Sequence, residues 1–232
     1  MRLHRETDVL DLWERGVGLD RWRRDDALLG AHPTAPRRLG ARNLALLAVR
    51  NAHFHAALPL RSACPGCGAE VEFTVDAHAL AESLAATPAR DRAEFEWRGA
   101  TVAARPPTVD DLRDAATKGA PDSVARAVLA RCIDGIDAAV CDEAALTELG
   151  DRLEALDPAA TVEFDLSCPD CAHVWSAPLD IAESLWGEIR GSAERLLLEV
   201  DALARAYGWT EADVLALSPT RRAAYLQMAE AE

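Results

Sequence analysis

The strongest periodic pattern lies near the C-terminus, where Ile181, Leu185, Ile189, Leu196, Val200, Leu203 and Tyr207 recur at three- and four-residue steps. Ser192 or Ala193 bridges the gap between Ile189 and Leu196. Such spacing lays one apolar stripe along a long helix, and Gly208 supplies its stop. Thr210 with Asp213 predicts a capped short helix after it. Ser218-Pro219 predicts the start of the last helix, since proline loses nothing by lacking an N–H in a first turn. Trp209, Val214, Leu217 and Leu226 are the apolar residues available to pack that pair.

A period of two appears in two places. Val71, Phe73 and Val75 alternate with Glu70, Glu72 and Thr74, and Val162, Phe164 and Leu166 alternate with Glu163 and Asp165. Both read as half-buried strands. Val174-Trp175 and Leu179 mark a further strand beyond the second of these. Phe95 to Ala103 reads as a hairpin turning at Arg98-Gly99, closed by Pro106-Pro107.

The other segments read as helices and breaks. Residues 1–29 form a charge-rich helical arm with Trp13 and Trp22 as anchors, and Ala31 to Pro36, with two prolines, is a loop. A second helix is predicted from Arg38 to Ala57, ended by Pro59; its run Leu44 to Val49 is apolar all round. Ala77–Ala86 is a short helix. Thr108 caps another that starts at Val109, with Asp111 closing the reciprocal bond. Helical patterns continue over 122–136 and 143–156. The fold class is therefore α+β and mostly helical, with a small antiparallel zinc-ribbon-like core, a long C-terminal helix and short terminal helices. The predicted division is an arm and loop over 1–36 and a single domain over 37–232, with a helical insertion at about 77–160. A faint echo, Ala81-Glu-Ser-Leu and Ala182-Glu-Ser-Leu, follows each of the two cysteine pairs described next.

The chain has six cysteines, and four form two Cys-x-x-Cys pairs: Cys64-Pro-Gly-Cys67 and Cys168-Pro-Asp-Cys171. Pro-Gly and Pro-Asp suit the tight turn that brings two sulfurs to one point. One pair cannot complete a tetrahedral site, but two can. The favoured reading is one structural zinc ion held by Cys64, Cys67, Cys168 and Cys171. Two half-sites completed by a partner or a histidine, and redox-active cysteines, are the alternatives. Closing the long loop between the pairs costs entropy that grows only logarithmically with length, while structural zinc contributes roughly 10–16 kcal/mol in small peptides. His53, His55 and His173 read as surface or supporting groups, and Cys132 and Cys141 as buried apolar residues.

Charge narrows the function. The formal net charge is −14, and four thiolates on a divalent ion would add two more negative charges. Such a surface repels phosphate backbones, so no nucleic-acid partner is expected. The cluster Arg21, Arg23, Arg24, Arg37, Arg38 and Arg42 reads as solvated surface, as does Asp25-Asp26; Asp110-Asp111 reads as charge favoured at a helix start. No Gly-rich phosphate loop, nucleophile elbow or His-Glu-x-x-His pattern occurs, and four thiolates leave zinc no open position, so no enzyme activity is expected. No apolar run suggests a membrane span or a secretory leader, which predicts a cytoplasmic protein.

The layout from Cys64-Pro-Gly-Cys67-Gly68, through Cys168-Pro-Asp-Cys171-Ala-His-Val-Trp175 and Ile181-Ala-Glu-Ser-Leu-Trp186, to Tyr207-Gly-Trp-Thr-Glu-Ala-Asp213 and Leu217-Ser-Pro-Thr-Arg-Arg-Ala-Ala-Tyr225 resembles a family encoded in extracellular contractile injection system clusters. That family is similar to the baseplate hub assembly chaperones of T-even-type phages. The resemblance spans about Leu39 to Met228 and leaves out the N-terminal arm. It implies a non-enzymatic assembly factor or adaptor, with baseplate, hub or spike proteins of a contractile tail as partners. The competing expectation is a zinc-ribbon nucleic-acid-binding regulator, against which the net charge stands.

Overall fold

The computed structural model describes residues 6–30 and 36–230. In chain order its first elements are α1 (Glu6–Gly16), α2 (Arg21–Leu28), α3 (Leu39–His53), β1 (Ala57–Ala63), β2 (Glu70–Asp76) and α4 (Ala77–Ala86). There follow β3 (Ala93–Trp97), β4 (Ala100–Ala104), α5 (Val109–Ala116), α6 (Pro121–Cys132), β5 (Ile133–Asp134) and α7 (Glu143–Glu154). The chain ends with β6 (Glu163–Ser167), β7 (Val174–Pro178), α8 (Ile181–Tyr207), α9 (Glu211–Leu215) and α10 (Pro219–Glu230). The protein is thus α+β and largely helical, with small antiparallel sheets.

Compactness divides the chain differently from the sequence pattern. One unit joins Met1–Leu28 to Ala182–Glu232, and the other is Leu29–Ile181. The expected arm over 1–36 is therefore no separate appendage: its helices group with the C-terminal helices, and 37–232 does not group as one domain. The reason is apolar. Leu10 and the partly buried Trp13 of α1 cluster with Ala193 and Leu196 of α8 and with Leu215. Arg24 of α2 lies over the Trp186 ring at 5.4 Å and donates to Glu183 at 2.8 Å. The predicted loop over 31–36 lies outside the described residues except for Pro36.

Within the first unit the long helix follows its stripe. Ile181, at the end of the other unit, and then Leu185, Ile189, Ala193, Leu196 and Leu203 are buried, so Ala193 and not Ser192 bridges the gap. Gly208, at φ 69°, turns the chain out of the helix. Thr210 and Asp213 make both bonds of a capping box on α9. Tyr207, Trp209 and Tyr225 then pack ring against ring, with centroids 4.7 to 5.8 Å apart.

The second unit carries three antiparallel sheets: β1-β2, β3-β4-β5 and β6-β7. The insertion builds its own core from Val102, Leu129, Ile133, Leu149, Leu153 and Leu156, with Cys132 and Cys141 among them as expected. Its hairpin turns at Arg98 and Gly99, both at positive φ, and Thr108 with Asp111 completes the predicted box on α5.

Two boundaries and one strand pairing differ from the pattern. The second helix stops at His53, before Pro59, which sits inside β1 opposite Thr74. A two-stranded sheet leaves each strand with an open edge, where a residue lacking an N–H is tolerated. α6 ends at Cys132 because buried, β-branched Ile133 pairs with Ala104 in β5. And the cysteine pairs lie on two separate hairpins, β1-β2 and β6-β7, where one small antiparallel core is the expectation.

Candidate metal centre

Each hairpin presents its cysteine pair at the tip, and the two tips are built alike. In the first, the Cys64 N–H donates to the Ala69 carbonyl at 2.8 Å, and the Gly68 N–H donates back to the Cys64 carbonyl at 2.8 Å. In the second, the Cys168 N–H donates to the His173 carbonyl at 2.9 Å, and the Ala172 N–H donates to the Cys168 carbonyl at 2.9 Å. The residue after each pair must therefore turn left-handed. Gly68 does so at φ 78°, and Ala172 at φ 58°. Glycine meets no steric cost there, whereas alanine does.

The four sulfurs of Cys64, Cys67, Cys168 and Cys171 lie within 4.8 Å of one another, a group that could hold a metal ion. The Sγ atoms of Cys64 and Cys171 are 3.6 Å apart, and so are those of Cys67 and Cys168. A disulfide is about 2.05 Å long, so these are not bonded pairs. Two thiolates at about 2.3 Å on a tetrahedral ion sit roughly 3.8 Å apart. The spacing is that of ligands around a common centre. Cys64 and Cys168, the first of each pair, are buried, and Cys67 and Cys171 are exposed.

Backbone amides prepare the sulfurs for negative charge. The amides of Cys171 and then Asp170 hold the Cys168 thiol down to about 7, against desolvation, with help from Cys67 and Cys64. Crowding acts on the rest. The Ala69 amide pulls the Cys67 thiol down, but the neighbouring sulfurs of Cys171 and Cys168, desolvation and Cys64 push it up to about 12. The His173 amide and Cys67 lower Cys171, while burial, Cys64 and Cys168 raise it above its usual value. The Cys168 thiolate forms readily, whereas those of Cys67 and Cys171 are opposed by the sulfurs beside them. A cation at the centre removes that opposition. The donor set fits a tetrahedral, thiophilic ion.

Neighbouring contacts hold the tips together. Phe73 of β2 meets Phe164 of β6 edge-on, with ring centroids 5.6 Å apart, and the Trp175 indole N–H donates to the Ser62 hydroxyl at 3.2 Å. A Cβ at Gly66 would lie 3.2 Å from His173 and 3.6 Å from the Cys171 sulfur, so this glycine lets the two hairpin tips approach. His173 stacks on Trp175 with centroids 6.3 Å apart. The pattern Cys-x-x-Cys-Gly signals the first left-handed turn in sequence; nothing signals the second, because Ala172 is an unexpected residue there.

Other residues singled out by sequence are placed as follows. Asp111 is more than a helix-start charge: it is buried and accepts from Arg105 at 2.7 and 3.0 Å and from Arg131 at 2.9 Å. Burial alone would raise its carboxyl, but Arg105, Thr108 and Arg131 outweigh that and hold it well below the usual carboxylate range. Asp25 is buried beside Arg24, whose guanidinium lies over the Trp186 ring, and is not solvated. Arg42 is buried too, so the arginine cluster is no single exposed patch. Asp157 was not foreseen. Its buried carboxylate accepts from the Gly40 N–H at 2.9 Å and caps α3 from far along the chain. No helix among the described residues is long and apolar enough to cross a membrane. Compared with known proteins, the chain matches no family model, no curated protein and no solved structure.

Proposed function

We propose that Cys64, Cys67, Cys168 and Cys171 hold one structural zinc ion, and that the protein is a non-enzymatic, cytoplasmic assembly factor or adaptor. The observation that carries the zinc reading is the convergence of four sulfurs, contributed by two equivalent turns, at ligand-like spacing. Zinc suits an all-thiolate, tetrahedral set better than calcium or magnesium, which prefer oxygen. When bound, the ion ties the β1-β2 tip to the β6-β7 tip. Four protein ligands would leave it no position for substrate.

Metal analysis of purified protein tests this reading. The expected result is one zinc per chain, lost on Cys67→Ser together with much of the stability. Absence of metal from protein purified with its thiols protected would defeat it.

The choice of partner rests on the sequence likeness to the contractile-injection-system family, which points to baseplate, hub or spike subunits. Recovery of tail proteins with the tagged chain, and loss of assembled particles on deletion of its gene, are the expected outcomes. Normal particles after deletion would refute the assembly role. A salt-sensitive gel shift with DNA or RNA would instead favour the zinc-ribbon regulator, against the net charge of −14.

A further inference from the structure

We propose that the four-cysteine centre is a peroxide-responsive clamp, in which oxidation replaces the metal by two disulfides running between the knuckles, Cys64–Cys171 and Cys67–Cys168. This inference rests on the zinc reading above and concerns how that site is regulated.

Three observations carry it. The 3.6 Å sulfur contacts run across the knuckles, one from Cys64 to Cys171 and the other from Cys67 to Cys168. Each joins an exposed cysteine to a buried one. A small oxidant can therefore reach Cys67 or Cys171 first, while the partner that resolves the product lies sheltered and already in contact. Each knuckle backbone is also pinned by its own pair of hydrogen bonds. Side-chain rotation can bring the sulfurs to bonding distance while those turns stay closed.

The chemistry balances with a hydroperoxide as oxidant. The exposed thiolate attacks a peroxide oxygen, the O–O bond breaks, and the departing hydroxide takes a proton to become water. The sulfur is now a sulfenic acid. The thiolate across the knuckles attacks that sulfur, the S–S bond forms, the S–O bond breaks, and the second hydroxide leaves as water. For the whole centre, two molecules of hydrogen peroxide and four protons convert four metal-bound thiolates into two disulfides, four waters and a free divalent ion.

The pairing decides the consequence. Disulfides within a knuckle would free the two hairpins from one another when the ion leaves. Disulfides across the knuckles keep residues 64–67 tied to residues 168–171, so the clamp changes its chemistry without opening. Cys132 and Cys141, buried in the insertion core, have no part in the exchange and serve as an internal control.

The test treats the intact, metal-loaded chain with hydrogen peroxide. It follows metal release with a chromogenic chelator and maps disulfides by mass spectrometry of unreduced peptides. The expected result is release of one ion per chain together with cross-linked peptides joining Cys64 to Cys171 and Cys67 to Cys168, with Cys132 and Cys141 still reduced. Disulfides within each knuckle, sulfinic or sulfonic acids at Cys67 or Cys171, or retention of metal with all thiols intact would overturn the proposal. If the untreated chain carries no metal, the zinc reading fails separately, and the disulfide map of the bare thiols still decides the pairing.

Discussion

Between β3 and α7 the chain packs Val102, Leu129, Ile133, Leu149 and Leu153 into one apolar cluster. The two hairpins that carry the cysteines do nothing comparable. Along β1, β2, β6 and β7 exposed residues alternate with half-buried ones, and Leu58 and Ala177 are the strand residues fully inside. Both regions belong to the same compact unit, Leu29–Ile181. One is held by hydrocarbon, which acts through many weak contacts. The other is joined across its two hairpins by the Phe73–Phe164 ring contact, the Trp175–Ser62 hydrogen bond and four convergent sulfurs. Isolated two-stranded hairpins are marginal in water, so under the proposed function the hairpin region depends on a metal cross-link far more than the insertion does.

The largest effect that should separate the two regions is loss of a ligand. Cys64→Ser is expected to cost on the order of 5 kcal/mol or more at the hairpins. Hydrogen exchange should show β1, β2, β6 and β7 opening while β4 and α6 stay protected. Equal loss of protection in both regions would mean that the centre supports the whole unit.

Leu149→Ala makes the reverse cut. Leu149 is fully buried, and its truncation should cost about 3 kcal/mol. Denaturation would register that loss, while the folded fraction keeps the same metal content as wild type.

A smaller effect belongs to Asp111. Asp111→Ala removes the reciprocal bond of the capping box and the shared partner of Arg105 and Arg131. Because both arginines keep solvent contact, the expected cost is about 2 kcal/mol. Its carboxyl titrates lower in the folded chain than the usual value of about 3.9. That contribution is therefore complete above the unfolded value and fades as pH falls toward the folded one. An acid titration of wild type and Asp111→Ala should show the gap closing only at pH below about 4.

The smallest expected change compares the two cysteine-bearing turns directly. Ala172→Gly should stabilise the second turn by about 1 kcal/mol, since glycine accepts its left-handed backbone. Gly68→Ala should weaken the first by a similar amount. Melting temperatures of the two variants, read against wild type, check both signs.

Where a local rule decides structure, the residues were legible. The capping boxes at Thr108 and Thr210, the turn at Arg98-Gly99 and the stripe from Ile181 to Leu203 each depend on neighbours within four residues. The cysteine pairs were legible for the same reason, because each turn is self-contained. Pro59 shows the limit. It signals a helix end locally, yet the chain had already left the helix and entered an edge strand.

The sequence by itself determined the amphipathic helices, the turns and the two thiol pairs, because backbone sterics and side-chain period act over short distances. Tertiary structure alone decided that the four sulfurs share one centre and that α1 and α2 group with the C-terminal helices. It also decided that Asp157 caps α3 and that Asp111 gathers two arginines. Those choices follow from which apolar surfaces bury one another and which buried charges find partners. Such pairings join residues far apart in the chain, and no local period records them.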